Sequence, residues 1–91
     1  MASATITTRA PLTRLQLIAL PDQIRRSNVA FRRVTVLCDC AALAPLAESV
    51  DELARLELEV RRCGASLMLE HGSDALLELI AFMGLTGVLR S

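Results

Sequence analysis

Short apolar runs alternate with amphipathic segments along this chain. The β-branched residues Thr5–Thr8 predict a short strand, and the run Val34–Cys38 predicts a central strand that is buried on both faces and ends at Asp39. Ser66–Leu69 predicts a second short buried strand. Amphipathic segments follow the last two strands after tight loops, which favours parallel strands joined by right-handed crossovers. We therefore predict an α/β fold: a small, mostly parallel sheet of about three or four strands with helices packed on it.

Two helices are indicated by apolar residues three or four positions apart. The first runs to about Cys63, stops at Gly64, and is preceded by Ser49 and Glu52 in the spacing of a capping box. Its apolar stripe comprises Val50, Leu53, Leu56, Val60 and Cys63, whereas Leu58 falls outside the stripe. The second runs from Asp74 to about Met83, with Ser73 in the preceding turn and Gly84 as its C-cap. Its inward residues are predicted to be Leu76, Leu77, Ile80 and Met83.

The segment from Leu12 to Asn28 carries mixed signals. Its leucines and isoleucines suit a helix, but Pro21 lies inside it and costs ~3 kcal/mol in a helix interior. Three interpretations stay open. A helix begins near Pro21, a longer helix kinks there, or residues 15–20 form a strand.

Composition limits the chain to one domain and excludes several functions. It has 91 residues, 53% of them hydrophobic, with a formal net charge of +0 and only two aromatic residues, Phe31 and Phe82. Such a chain lacks the basic, base-stacking surface of a nucleic-acid-binding protein. The first residues do not resemble a secretory signal and no apolar run is long enough to span a bilayer, so we expect a cytoplasmic protein without membrane insertion.

Charge is distributed unevenly along the chain. Residues up to 45 hold six arginines and two acids, a balance of +4, and later residues hold four arginines and eight acids, a balance of −4. Solvated faces that meet in the fold are the simplest explanation. The absence of lysine indicates the codon bias of a GC-rich, bacterial genome.

The residues capable of chemistry do not form a recognisable catalytic or metal motif. Cys38, Cys40 and Cys63 lack the paired C-x₂-C spacing of zinc and redox sites, so they are interpreted as buried small hydrophobes. His71 has no nucleophile-elbow context, and there is no glycine-rich phosphate loop. Asp39 is expected to accept hydrogen bonds from the backbone of the following loop. We therefore predict no cofactor, no metal and no enzymatic activity.

From Val34 to Leu89 the order of these segments resembles the STAS domain of anti-sigma factor antagonists. The shared pattern is a buried strand ending in Asp39, a short loop, a helix rich in Leu and Arg ending in Gly64, a Leu-x-Leu strand, and a helix closing on Gly84-Leu85. Residues 9–14 also look like the opening of single-domain actinobacterial members. The resemblance implies one STAS-like domain over 1–91, with an abbreviated N-terminal strand region over 1–30 and a βαβα core over 33–91.

The chain departs from the family at its phosphoacceptor. Members carry Asp-Ser-Ser-Gly, or a Thr variant, at the start of the helix after the central strand, and a partner kinase phosphorylates the second hydroxyl. Here Glu48 falls in that slot, if Val50 takes the slot of the buried Leu, and Ser49 falls one residue later. Glu48 is interpreted either as a built-in negative charge or as a sign that the site is degenerate. For Ser49, the helix-capping role is preferred to phosphorylation.

The resemblance implies a regulatory module that binds another protein. It would dock on an anti-sigma factor, a serine-kinase-like ATPase, and release a sigma factor without ordinary serine phosphorylation. The implied contact residues are Asp39, Leu46, Glu48, Ser49, Asp51, Glu52 and Arg55. The alternative is a small structural subunit of a larger complex, such as a lipid-transport ABC system, and a homodimer is compatible with either.

Overall fold

A computed structural model describes residues 2–90, which form three strands and three helices in strict alternation. The elements are β1 (Ser3–Arg9), α1 (Arg14–Ala30), β2 (Arg33–Asp39), α2 (Ala47–Arg62), β3 (Ser66–Glu70) and α3 (Asp74–Phe82). The strands are all parallel, in the order β1-β2-β3. The predicted α/β class and small parallel sheet are confirmed.

The helices cover one face of the sheet. Each strand follows its predecessor on the same side, and right-handed crossovers then place α1 and α2 on one face, where α2 also contacts α3. Alternate residues of β2, namely Val34, Val36 and Cys38, are buried against the helices, while Thr35 and Leu37 between them are only half-buried. The prediction that β2 is buried on both faces is therefore wrong. Met68 in β3 is exposed for the same reason.

The core lies between this single covered face and the helices. Its fully buried side chains come from β2, α1, α2 and α3, and they include Ile24, Val36, Val50, Leu53, Val60 and Leu76. Cys38 and Cys40 belong to the same core, which confirms that they pack as small hydrophobes. Cys63 is half-buried and packs against the core.

The segment with mixed signals is one helix. Thr13 caps α1 through a capping box, because its side chain accepts from the Gln16 backbone N–H and the Gln16 side chain accepts from the Thr13 N–H. Pro21 lies inside the helix, and α1 continues to Ala30. The two interpretations with a strand over residues 15–20 or a helix start at Pro21 are wrong. The local capping signal lies upstream of the proline and sets where the helix begins.

The helix α2 begins two residues earlier than its apparent capping box. Leu46 is its N-cap, and Ser49 is already the third helical residue and is buried. The predicted capping role of Ser49 is therefore wrong. The physical reason is periodicity, since Ser49 lies four residues before Leu53 and seven before Leu56, on the buried stripe.

The remaining local predictions for α2 and α3 hold in most cases. Gly64 and Gly84 adopt positive φ at the helix ends, Ser73 caps α3 by accepting from the Leu76 N–H, and Leu58 is exposed. Met83, predicted to point inward, is exposed. Within residues 2–90 no helix is both long and apolar enough to cross a membrane.

Candidate functional site

The sequence-predicted contact residues gather at the end of the molecule where the parallel strands finish. In open α/β sheets the loops that follow the carboxyl ends of the strands commonly carry the functional groups. In this chain that end holds Asp39 at the close of β2 and the loop that leads into α2. Two features occur there, one on each side of the sheet.

The first feature is a charged row on the uncovered face. The registers align Arg9 with Asp39 and Asp39 with Glu70, so the last residues of all three strands lie side by side. The Asp39 carboxylate lies 4.0 Å from Arg9 Nε and 3.4 Å from Nδ1 of His71. His71 has a positive φ, a conformation that turns the chain sharply away from β3.

Asp39 also holds the loop that leaves β2. Its Oδ1 accepts a 2.9 Å hydrogen bond from the Ala41 backbone N–H, which confirms the expected structural role. This hydrogen bond lowers the pKa of Asp39, and the neighbouring His71 lowers it further. An ionised Asp39 therefore ties together the ends of β1 and β3 and the beginning of the β2–α2 loop.

The cysteines do not join this row. Cys40 Sγ donates to the Cys38 carbonyl at 3.6 Å, and both side chains lie in the core. The side-chain interaction between the two thiols, in which Cys38 keeps its proton, together with burial raises the pKa of Cys38 well above its ordinary value, so that thiol is protonated at neutral pH. His71 is exposed at the sheet edge. The structure thus separates the thiols from the Asp39–His71 pair and does not assemble a Cys-His nucleophile from them.

The second feature is an apolar groove of about 490 Å³ on the helix side. It lies between the β1–α1 loop and the stretch of α2 from Ser49 to Glu59. Its lining includes the apolar side chains of Leu12, Leu17, Leu43, Leu53 and Leu56. Leucines from three separate parts of the chain thus line one surface.

The rim of the groove on the α2 side is acidic. Glu52 and Glu59 line it, and Glu48 lies one turn before Glu52 on the same side of the helix. Arg55 also lines the groove, but its guanidinium is paired with Asp51 at 3.1 Å, an i, i+4 spacing that favours such pairs on a helix. The carboxylates of Glu48 and Glu52 thus give the rim a net negative charge.

The structure places most of the predicted contact residues around this groove. Ser49, Glu52 and Arg55 line it, and Glu48 and Asp51 are exposed on the first turns of the same helix. Leu46, 55% exposed, stands at the N-cap beside them. Asp39 is separate from this group, because its carboxylate belongs to the charged row and not to the groove lining.

Sequence reasoning missed part of this site. Leu12, Leu17 and Leu43 carry no local signal for a groove, since they meet α2 only after the crossovers have formed. Outside the groove lining, the buried Glu57 was also missed. It accepts a 2.8 Å hydrogen bond from Arg61, and its i, i+4 spacing from that arginine was the available signal.

The chain has no identifiable relatives in the comparisons with known proteins. It matches no protein-family model, no curated protein and no solved structure.

Proposed function

We propose that this protein is a regulatory module that binds a partner protein through the groove and the N-terminal half of α2. The proposal is carried by two adjoining features: the apolar groove, and the start of α2 with its exposed Leu46 and its acidic rim. Leu17, which is 49% exposed, and the half-buried Leu12 supply apolar contact area over the buried Leu43 and Leu56, while Glu48 and Glu52 supply charge. A partner segment with an apolar stripe flanked by Lys or Arg fits both properties.

The partner class follows from the resemblance to anti-sigma factor antagonists. We infer that the partner is an anti-sigma factor of the serine-kinase-like ATPase type and that docking releases a sigma factor. The proposed interface contains Leu46, Glu48, Asp51, Glu52 and Arg55, all of which are exposed. Asp39 contributes by holding the loop that leads toward them.

Docking is proposed to proceed without phosphorylation of Ser49. The side chain is only 8% exposed and belongs to a regular helical turn, so a kinase would have to unwind the start of α2 to reach its hydroxyl. Glu48, one residue earlier, is exposed in the first helical turn, where a negative charge is stabilised by the helix dipole. If Val50 takes the slot of the family's buried Leu, this permanent carboxylate takes the place of the family's switchable phosphate.

The experiment begins with co-purification of the tagged chain from a GC-rich bacterial host, followed by calorimetric titration of the chain with the purified partner. Glu52→Lys should weaken binding by roughly tenfold or more, because it opposes like charges across the rim. Glu78→Lys is the matched control, since Glu78 is exposed on α3 and away from the groove. Equal affinity for both variants would contradict docking at the groove.

The identity of the partner and the state of Ser49 are tested on the same material. Recovery of a kinase-like anti-sigma ATPase whose binding responds to Glu48→Lys supports the antagonist role. Incubation of the complex with ATP should leave Ser49 unmodified by mass spectrometry. Stoichiometric phosphate on Ser49 would overturn the proposal of phosphorylation-independent docking.

A second candidate function is a structural subunit of a larger assembly, such as an ABC-type transport system. It is favoured by apolar side chains exposed outside the groove, since Leu58 is 51% exposed on α2 and Met68 lies on the uncovered sheet face. Recovery of an ABC-type ATPase, with affinity that Glu52→Lys leaves unchanged, would favour this candidate over the first.

A further inference from the structure

The outer edge of β1 is an unpaired strand edge with a defined hydrogen-bonding pattern. The Ala10 N–H donates to the Asp39 carbonyl at 2.8 Å, so even-numbered residues of this segment bond toward β2. Backbone groups alternate in direction along a strand. The N–H and C=O groups of Ser3, Thr5, Thr7 and Arg9 therefore point outward, and among residues 2–90 no strand pairs with them.

The β1 edge lacks the devices that normally prevent edge-to-edge pairing. Its sequence, SATITTR, holds no proline and no lysine, its pairing with β2 runs without a bulge, and Arg9 at its end is its only charge. The opposite edge of the sheet is different. There the Leu69 N–H donates to the Arg90 carbonyl at 2.7 Å, so the chain itself covers part of β3.

The flank of α1 beside this edge is apolar and exposed. A shallow groove between β1 and α1 is lined by Thr7, Thr8, Leu15 and Ala19, together with glutamines and Leu20. Leu15 in this lining is 78% exposed, and Ile18, on the neighbouring solvent-facing side of α1, is 66% exposed. An apolar helix flank next to an unpaired strand edge is the surface that the next strand–helix unit of such a fold would cover.

We propose that a second copy of this chain occupies this surface, with the two β1 strands paired antiparallel about a two-fold axis at Ile6. Thr5 of each copy then lies opposite Thr7 of the other, and Ser3 lies opposite Arg9. All four outward-facing residues take part, and each pair exchanges two backbone hydrogen bonds. The result is a continuous six-stranded sheet with the helices of both copies on one face.

The side chains suit this register. Ile6 lies opposite Ile6 of the second copy on the helix-covered face. The two form a non-hydrogen-bonded pair, in which the side chains are closer than in a hydrogen-bonded pair. On the uncovered face Thr5 meets Thr7, and Thr–Thr pairs are favourable across strands. The only charge in the strand, Arg9, faces Ser3, so like charges do not oppose each other. The strand is therefore complementary to itself in both hydrogen bonding and charge.

The α1 helices of the two copies pack against each other across the same two-fold axis. Because α1 contacts both β1 and β2, its axis lies near the gap between them. With strands about 4.8 Å apart, the two α1 axes would then lie roughly 10 Å from each other, within the range of packed helices. Ala19, a small residue on this flank, allows that approach.

The expected interface is small. The seven residues of β1 extend about 23 Å, which with the helix layer buries on the order of 1,000 Å² in total, near the lower limit for a specific complex. A dissociation constant roughly in the micromolar range is therefore expected. The proposal does not depend on the groove or on its partner, which lie on the other side of α1.

The test is sedimentation velocity on the full chain over a concentration series from roughly 1 to 500 μM, chosen to span the micromolar range. Wild type should change from monomer to dimer. The double variant T5K/T7K should stay monomeric, since each lysine would face another across the axis, and T5E/T7E should do the same. An equimolar mixture of the two should dimerise again, because opposite charges then face each other.

The matched control is S66K/M68K, which places two lysines on the same sheet face but on β3, and it should dimerise like wild type. Circular dichroism checks that each variant is folded. If T5K/T7K unfolds, Ala19→Arg replaces it, because Ala19 lies outside β1 and blocks only the helix contact. A monomeric wild type, a dimeric T5K/T7K or a monomeric mixture would each overturn the proposal.

Discussion

The two crossover helices are stabilised in opposite ways. Six residues of α2 are buried, including Val50, Leu53 and Val60, but its N-cap Leu46 has no side-chain acceptor. In α1 only Leu20 and Ile24 are buried, but the helix carries a complete capping box. Packing thus holds α2 in place, whereas local backbone interactions define α1.

The difference follows from position in the sheet. The central helix α2 lies between α1 and α3 and contacts β3, so neighbours surround its apolar stripe. The outer helix α1 lies over β2 and the free edge strand β1, and it has a neighbouring helix on one side only. Its exposed leucine and isoleucine side chains are a consequence of that position, and the proposed dimer would give the flank of α1 its second neighbour.

Truncation of one leucine in each helix should give the largest difference between α2 and α1 in the free energy of unfolding. Leu53→Ala in α2 should lower the free energy of unfolding by about 3 kcal/mol, because Leu53 is 2% exposed and leaves a cavity. Leu15→Ala in α1 should change it by less than about 0.5 kcal/mol at concentrations where the chain is monomeric. Urea unfolding of both variants measures the contrast. Similar losses would show that α1 is packed as tightly as α2.

Replacement of the internal proline should give the next largest effect, and of opposite sign. Pro21 deprives α1 of one backbone hydrogen bond, at a cost of about 3 kcal/mol, while its rigidity in the unfolded chain returns about 1 kcal/mol. Pro21→Ala should therefore stabilise the protein by roughly 2 kcal/mol in thermal or urea unfolding. Pro45→Ala, just before the N-cap of α2, is the control and should give no such gain. A destabilised Pro21→Ala would indicate that the proline ring is needed for packing.

Changes at the caps should be smaller and should again differ in sign between the helices. Thr13→Ala removes the acceptor of the α1 capping box and should cost about 1 kcal/mol. Leu46→Ser supplies an acceptor that α2 lacks, at a residue whose extended backbone suits an N-cap, and should gain up to about 1 kcal/mol. Chemical denaturation of both variants decides this. A loss for Leu46→Ser would mean that the leucine side chain contributes packing that outweighs the new cap.

The same division explains how far sequence reasoning reaches. The strands, the C-terminal end of α2, both ends of α3 and the Asp51–Arg55 pair were predictable because the signals are local: alternation, periodicity, and glycine or serine at helix ends. The start of α2 was missed because a capping motif at Ser49 competed with a buried stripe that includes the same residue. In α1 the proline concealed a capping box eight residues upstream at Thr13.

The groove and the charged row depend on long-range geometry. Arg9, Asp39 and Glu70 are neighbours only because three parallel strands are in register, and nothing within a few residues of each one indicates it. That the helices would cover a single face depends on the strand order, which the sequence left open. The half-buried Leu37 and exposed Met68 therefore escaped prediction, although both were correctly assigned to strands.

The smallest expected effect is on the pH dependence of stability, where the two helices differ in the charge of the groups at their N-terminal ends. The loop leading to α2 is held by ionised Asp39, whose pKa is lowered by the Ala41 N–H, whereas the capping box of α1 is uncharged. Because the pKa of Asp39 is lower in the folded than in the unfolded chain, where it is near 3.8, ionised Asp39 stabilises the fold at pH values above 3.8. This contribution is lost as the pH falls through the pKa of the folded state. Asp39→Asn should therefore be less stable than wild type at pH 7, and the difference should shrink below about pH 4. Thermal midpoints from pH 2 to 7 measure this, with Asp22→Asn in α1 as the control for an exposed carboxylate. If the thermal midpoints of the two variants depend on pH in the same way, the charge of Asp39 does not hold the loop. In that case packing alone stabilises α2 at both of its ends.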